Sequence, residues 1–178
     1  MSARGEALDV VKVDEGDFDF EALFRSHYGH IARVIARVVR DPARADELAV
    51  EVFLRLWRTP QAQGESAKGW LYRVAVRKGL DELRRRTRWA RYESLISPVR
   101  HVPNPEETHS AAEDQERVRL VLAAIGSREA ELLLLRGHDL SYDELASALG
   151  LNPASIGTLL ARAQQAFRKE YVRRYGKE

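Results

Sequence analysis

No cysteine occurs among the 178 residues. That excludes disulfides, thiolate nucleophiles and cysteine-ligated zinc. No apolar run approaches the roughly 20 residues that a membrane-spanning helix needs, so no membrane insertion is expected. The opening MSARGEALDVVKVDEGDFD has no apolar stretch between a basic flank and a cleavage site. It does not read as a signal peptide, and a cytoplasmic home is expected. Histidine is sparse. The five His residues are scattered, and no acidic residue completes a ligand set beside His27 and His30. Neither a glycine-rich phosphate loop with its lysine nor a nucleophile elbow is present. No metal, no cofactor and no catalytic residue are therefore expected, and an enzyme is disfavoured. Convincing strand alternation is also missing, which leaves an all-α protein.

Charge is present but unevenly placed. The formal net charge is only +2. Lys68 to Arg91 holds nine Lys/Arg against Asp81 and Glu82, Glu113 to Leu151 holds eight acids against four arginines, and Asn152 to Glu178 is basic again, six against two. Two separate basic surfaces suit a polyanionic partner.

The apolar spacing predicts helices. Phe20, Leu23, Phe24, His27, Tyr28, Ile31, Val34, Ile35 and Val38 form one stripe, with Asp17 or Asp19 as its cap and an end near Arg40. Asp41-Pro42 starts a second helix, whose stripe is Ala45, Leu48, Ala49, Val52, Phe53, Leu56 and Trp57. Pro60 and Gly64 mark a loop. A third helix follows, capped by Ser66, with Trp70, Leu71, Val74, Ala75 and Leu83 apolar. The segment ISPVRHVPNPEETHSAAED has three prolines and no periodicity. Residues 1–95 thus read as one helical domain, 96–112 as a flexible linker, and 113–178 as a second helical domain. In the second, Val118, Val121, Leu122 and Ile125 form the first stripe, and Ser127 is read as a cap. Ser141 with Glu144 makes a capping box, Gly150 ends that helix, and Asn152-Pro153 starts the last one. This is helix-turn-helix spacing.

The third helix has the chemistry nucleic acid requires. Its Lys and Arg residues can neutralise phosphates, and Trp70, Tyr72, Trp89 and Tyr92 offer flat faces for an unstacked base. Trp70, flanked by core positions, is expected to pack. The last helix offers Asn152, Ala154, Ser155, Thr158 and Arg162 to a duplex groove, though Asn152 also fits a cap. Its first turns have no Arg or Lys, and Gly157 weakens it. Asp46, Glu47 and Glu51 gather on one face of the second helix. They suit docking to a basic protein surface better than acid–base catalysis.

Four segments carry a family resemblance. ADELAVEVFLRLW, GWLYRVAVRKGLDELRRR, IGSREAELLLLR and LSYDELASALGLNPASIGTLLARA occur in order with the right gaps. Together they resemble an RNA polymerase sigma factor of the extracytoplasmic-function class of the sigma-70 family. The likeness covers about Phe20 to Tyr92 and Glu113 to Arg168. It implies that Asp46, Glu47, Leu48, Glu51 and Arg55 bind core RNA polymerase. It assigns −10 element binding to Trp70, Tyr72, Arg73, Arg77, Lys78, Arg84 and Arg85. It assigns −35 element binding to Asn152, Ala154, Ser155, Thr158 and Arg162. Val50, Arg77, Gly157, Leu159 and Ala161 depart from the usual residues. The resemblance further implies promoter DNA and an anti-sigma factor as partners. Two other readings use the same residues: a sigma-like regulator without full promoter use, and a protein-interaction module. An exposed Leu159 beside Ile156 or Leu160 would favour the module.

Overall fold

The computed structural model describes residues 18–96, 111–138 and 140–176. The boundary elements of the first helix follow from local chemistry. Asp19 accepts a hydrogen bond from the Ala22 amide at 2.8 Å and starts α1 (Phe20–Val39). Arg40 ends it in the left-handed region, at φ 55°. One residue on, the Asp41 carboxylate accepts from the Arg44 amide and starts α2 (Pro42–Trp57), with Pro42 in the first turn. A short 3-10 turn, Pro60–Ala62, leads to the 30-residue α3 (Ala67–Ile96).

α1, α2 and the first part of α3 bury their stripes against one another. Ile31, Ile35, Leu48, Val52, Phe53, Leu56, Leu71 and Ala75 form the centre. Phe53 is the pivot: Phe24 meets it edge-on at 4.9 Å, and Phe20 and Tyr28 lie within 6.3 Å. Trp57 departs from the expected core stripe. It is 55% exposed, touching the rest of the fold through the Phe20 ring at 5.0 Å. Its side chain lies on the same side of α2 as the exposed Val50 and Leu54, away from the buried stripe.

The second unit comprises α4 (Ala111–Ala124), α5 (Ser127–Arg136), α6 (Tyr142–Leu149) and α7 (Pro153–Tyr175). Both halves of the Ser141–Glu144 capping box are formed. Gly150 takes φ 65°, a conformation that glycine adopts at no steric cost, and the Leu151 amide then donates back to Ala146 at 2.8 Å. Asn152 caps α7. The turn between α6 and α7 is thus Gly150-Leu151-Asn152. Leu132, Leu135, Leu145, Ile156 and Ala163 fill the core of this unit. Two expectations fail here. Gly126, not Ser127, is the cap residue of α5. Val118 is 39% exposed, because α4 packs along α3 and α7 and leaves that side uncovered.

The α3 stripe is wider than its sequence suggests. Val76 and Leu80, absent from the predicted apolar set, are fully buried. They share helical spacing with Gly69, Arg73 and Arg84, and α3 packs on α4, α5 and α6 as well as on α1 and α2. A helix covered on two sides loses one-sided amphipathicity. The two units are therefore docked on each other. The expected flexible linker falls almost wholly on residues 97–110, outside the described residues. No strand occurs among the described residues.

Candidate nucleic-acid and polymerase interfaces

On α2, Asp46, Glu47, Glu51 and Arg55 are exposed, as expected of a docking face. Leu48 is not part of it. At 4% exposure Leu48 belongs to the core, because it sits on the same stripe as Ala45 and Val52. The carboxylates are positioned by neighbours. The Tyr28 hydroxyl donates to Asp46 at 3.4 Å, and the Arg44 guanidinium donates to Glu47 at 2.7 Å. Lys78 of α3 hydrogen-bonds Glu51. Desolvation, then the Asp46 charge, pushes the Tyr28 hydroxyl above its ordinary pKa. Beside these acids runs an apolar stripe that sequence reasoning missed as a surface: Val50, Leu54 and Trp57, all exposed. Their spacing of four and three was the available signal. It is a second stripe on the side opposite the buried one.

On α3 the seven expected −10 residues divide into distinct roles. Trp70 and Tyr72 are half-buried and pack on the core; the Tyr72 ring lies 6.4 Å from that of His138. Lys78 is held by Glu51. Arg85 donates twice to Glu82, at 2.7 and 3.2 Å. Arg77 donates from Nε to Glu131 of α5 at 2.8 Å. Arg84 reaches the end of α4: it donates to the Ala123 and Ile125 carbonyls at 3.2 Å and to the Ser127 hydroxyl at 2.7 Å. Arg73 is half-buried, and its Nε has no acceptor among the described residues. Desolvation, and next the Arg77 charge, lower its pKa. It is a desolvated cation that an anion would satisfy. Trp89 and Tyr92 stand free at 68% and 57% exposure, their rings 6.1 Å apart.

On α7, Asn152, Ala154, Thr158 and Arg162 are exposed. The Asn152 side chain is occupied as a cap, accepting from the Ala154 amide at 3.0 Å, and the Ser155 hydroxyl donates to the Asn152 carbonyl at 2.7 Å. That leaves Ala154, Thr158 and Arg162 uncommitted. Leu159 is half-buried and packs on the core, so it creates no free apolar patch beside Ile156. Gly157 lies over Tyr142 with room for a methyl group, 3.7 Å away. Among the described residues no group of His, Asp and Glu could hold a metal, and no helix is long and apolar enough to cross a membrane.

Known proteins share this layout. The family model described as Sigma-70 region 2 matches residues 23–89, and that described as Sigma-70, region 4 matches residues 115–166. The ECF RNA polymerase sigma factor SigE of Mycolicibacterium smegmatis is 27% identical over 165 residues, covering 89% of this chain and 63% of its own length. The ferric citrate uptake sigma factor FecI of Escherichia coli K12 is 28% identical over 159 residues, covering 85% of this chain and 92% of its own. In fold, the chain is similar to the sigma factor RpoE of Bartonella quintana, solved in complex with the anti-sigma factor NepR, with a TM-score of 0.51 at 16% identity over 85% of this chain and 96% of that one. A region 2 unit followed by a region 4 helix-turn-helix defines a sigma-70 factor, and the chain belongs to that family. Its relatives place it in the extracytoplasmic-function class.

Proposed function

We propose that this protein binds core RNA polymerase in the cytoplasm and directs promoter recognition and transcription initiation. The observation that carries the reading is the order of surfaces along one chain. An acidic and apolar face on α2 is followed by the arginine-rich α3 and then by a helix-turn-helix, within the two matched regions. The protein supplies binding energy and base capture; polymerase makes the bonds.

In this reading α2 holds polymerase through Asp46, Glu47, Glu51 and Arg55, with Leu54 and Trp57 adding apolar contact. α3 meets the −10 element. Arg73 and Arg77 serve phosphates, and the partly covered Trp70 and Tyr72 border the strand path. At the −35 element, Ala154, Thr158 and Arg162 approach the duplex, while Asn152 and Ser155 hold the helix start in place. An anti-sigma factor is the expected inhibitor, by analogy with the NepR complex of the Bartonella protein.

Run-off transcription with the host's core enzyme and a genomic fragment library tests this. Discrete start sites that depend on the added chain are expected. A full set of fragments with no dependent start, in the absence of any inhibitor, overturns the proposal.

A further inference from the structure

We propose that a groove along α1 binds an amphipathic anion, a small molecule with one anionic head on an apolar chain. The head sits on Arg33 and Arg37, and the chain lies in the slot between α1 and α4. The site goes beyond the promoter function proposed above, and its test does not depend on that function.

α1 and α4 do not pack against each other along their length. They are joined by side chains. Arg119 of α4 donates to the Val38 carbonyl at 2.6 Å, and Arg40 of α1 donates to the Ala112 carbonyl at 3.3 Å. A cleft of about 730 Å³ stays open between the two helices, within the roughly 300–1,000 Å³ of small-molecule sites. Ala36 of α1, Val118 and Leu122 of α4 and Leu134 of α5 give it apolar walls. Val118, 39% exposed, is the part of this lining that the fold leaves most open. Arg33 and Arg37, one helical turn apart, line this cleft and also a polar hollow of about 370 Å³ walled by His30, Tyr72 and His138. The two spaces share these arginines and form one groove with an apolar end and a cationic end.

The charges along the groove are unequally engaged. Arg40 and Arg119 both meet Glu116. Asp114, the acid of the apolar cleft, faces Arg117 at 3.8 Å. Arg33 donates to the neutral His30 Nδ1 at 3.1 Å. Arg37 has no hydrogen bond or ion pair among the described residues. No carboxylate among the described residues lines the cationic end. An apolar slot alone would take a neutral lipid, and exposed arginines alone would take any phosphate. Their junction selects a molecule that has both parts. Two guanidiniums a turn apart offer forked donors to one carboxylate or phosphate head, while the chain covers Val118 and Leu134. A DNA strand fits less well, because it has no apolar chain to fill the slot.

Fluorescence titration of the full chain with cis-parinarate, a polyunsaturated fatty carboxylate that brightens in apolar surroundings, reads occupancy directly. Saturable binding at one site per chain is expected, with the methyl ester of the probe about tenfold weaker. Arg33→Gln/Arg37→Gln should weaken parinarate about tenfold and leave the ester unchanged, whereas Val118→Asp should weaken both. All three side chains are exposed, so melting temperatures should move little and lost binding would not be lost folding. Dodecanoate and dodecyl phosphate as competitors distinguish the two head groups, and displacement by either supports the site. Absence of saturable binding, equal affinity for acid and ester, displacement by neither competitor, or binding that both variants leave intact overturns the proposal. Displacement of the probe by single-stranded DNA, with Val118→Asp without effect, overturns it too, since the cationic end would then serve nucleic acid.

Discussion

Arg86 donates from Nη2 to Asp41 Oδ2 at 2.8 Å, while Oδ1 of the same carboxylate accepts the Arg44 amide at 3.0 Å. One side chain therefore caps α2 and ties it to α3. The same arginine donates from Nε to the buried Glu82 at 2.8 Å. Its hydrogen bond, followed by that of the Arg44 amide, holds the Asp41 carboxyl below its ordinary range. Part of the basic run that looks like a DNA surface in sequence is thus structural cement between helices.

Glu82 gives that cement a pH signature. Its hydrogen bond from Arg85, then that from Arg86, bring its carboxyl to about 2, against an ordinary 4.5 and despite desolvation. A carboxylate with a depressed folded-state pKa stabilises fully above its unfolded value and loses that contribution as pH falls through the folded value. Glu82→Gln should lower stability by about 2–3 kcal/mol at neutral pH. The gap from wild type should close between pH 4.5 and about 2. Urea melts across that range would show it; a pH-independent gap would exclude the ion-pair origin.

Salt dependence tells arginines that serve phosphates from those that serve the fold. Arg73→Ala/Arg77→Ala should reduce the slope of log affinity for DNA against log salt by about 1 for each phosphate left unneutralised. Lys78→Ala should leave the slope alone, because its partner Glu51 belongs to the same unit, whereas the Glu131 that meets Arg77 belongs to the second, and should cost under about 1 kcal/mol of stability. A drop in slope for Lys78→Ala alone would reverse this assignment.

On α2 the exposed Leu54 and the acids beside it should act together on polymerase. Leu54→Glu and Asp46→Lys/Glu47→Lys are each expected to weaken capture of core enzyme by tenfold or so, about 1.4 kcal/mol. The melting temperature should barely move, since these side chains are exposed. Undiminished capture by both variants would clear the face of this role.

Two glycines of the helix-turn-helix should respond to the same substitution with opposite signs. Gly150→Ala places a side chain at φ 65° and should destabilise by about 1 kcal/mol, although nothing crowds the new methyl. Gly157→Ala sits inside α7 with ordinary room above Tyr142, and should stabilise by up to about 1 kcal/mol. Thermal melts of the pair would decide it, with a shared sign counting against the backbone explanation.

Much of the fold was legible because local rules set it. Asp19, Asp41, Ser141 and Asn152 all start the helices that their side chains predicted. Gly150 and the stripe periods of α1 and α2 were equally readable. The errors share a cause. Trp57 and Val118 were assigned to apolar stripes yet are largely uncovered, Trp57 meeting the Phe20 ring alone among aromatic neighbours, while Val76 and Leu80 fall off the predicted stripe yet are buried by a second neighbour. Ser127 fits a cap by residue type, but its hydroxyl accepts from Arg84 instead.

By itself the sequence determined the all-α class, the helix-turn-helix and the two basic surfaces, since capping, periodicity and charge act over a few residues. Only the tertiary structure decided which arginines are free. Arg77 and Arg84 are as basic as their neighbours in the chain, but hydrogen bonds reaching across 54 and 43 positions place acceptors against them. Pairing at such separations depends on how whole helices dock, and that is set by the summed packing of many side chains rather than by any one stretch of residues.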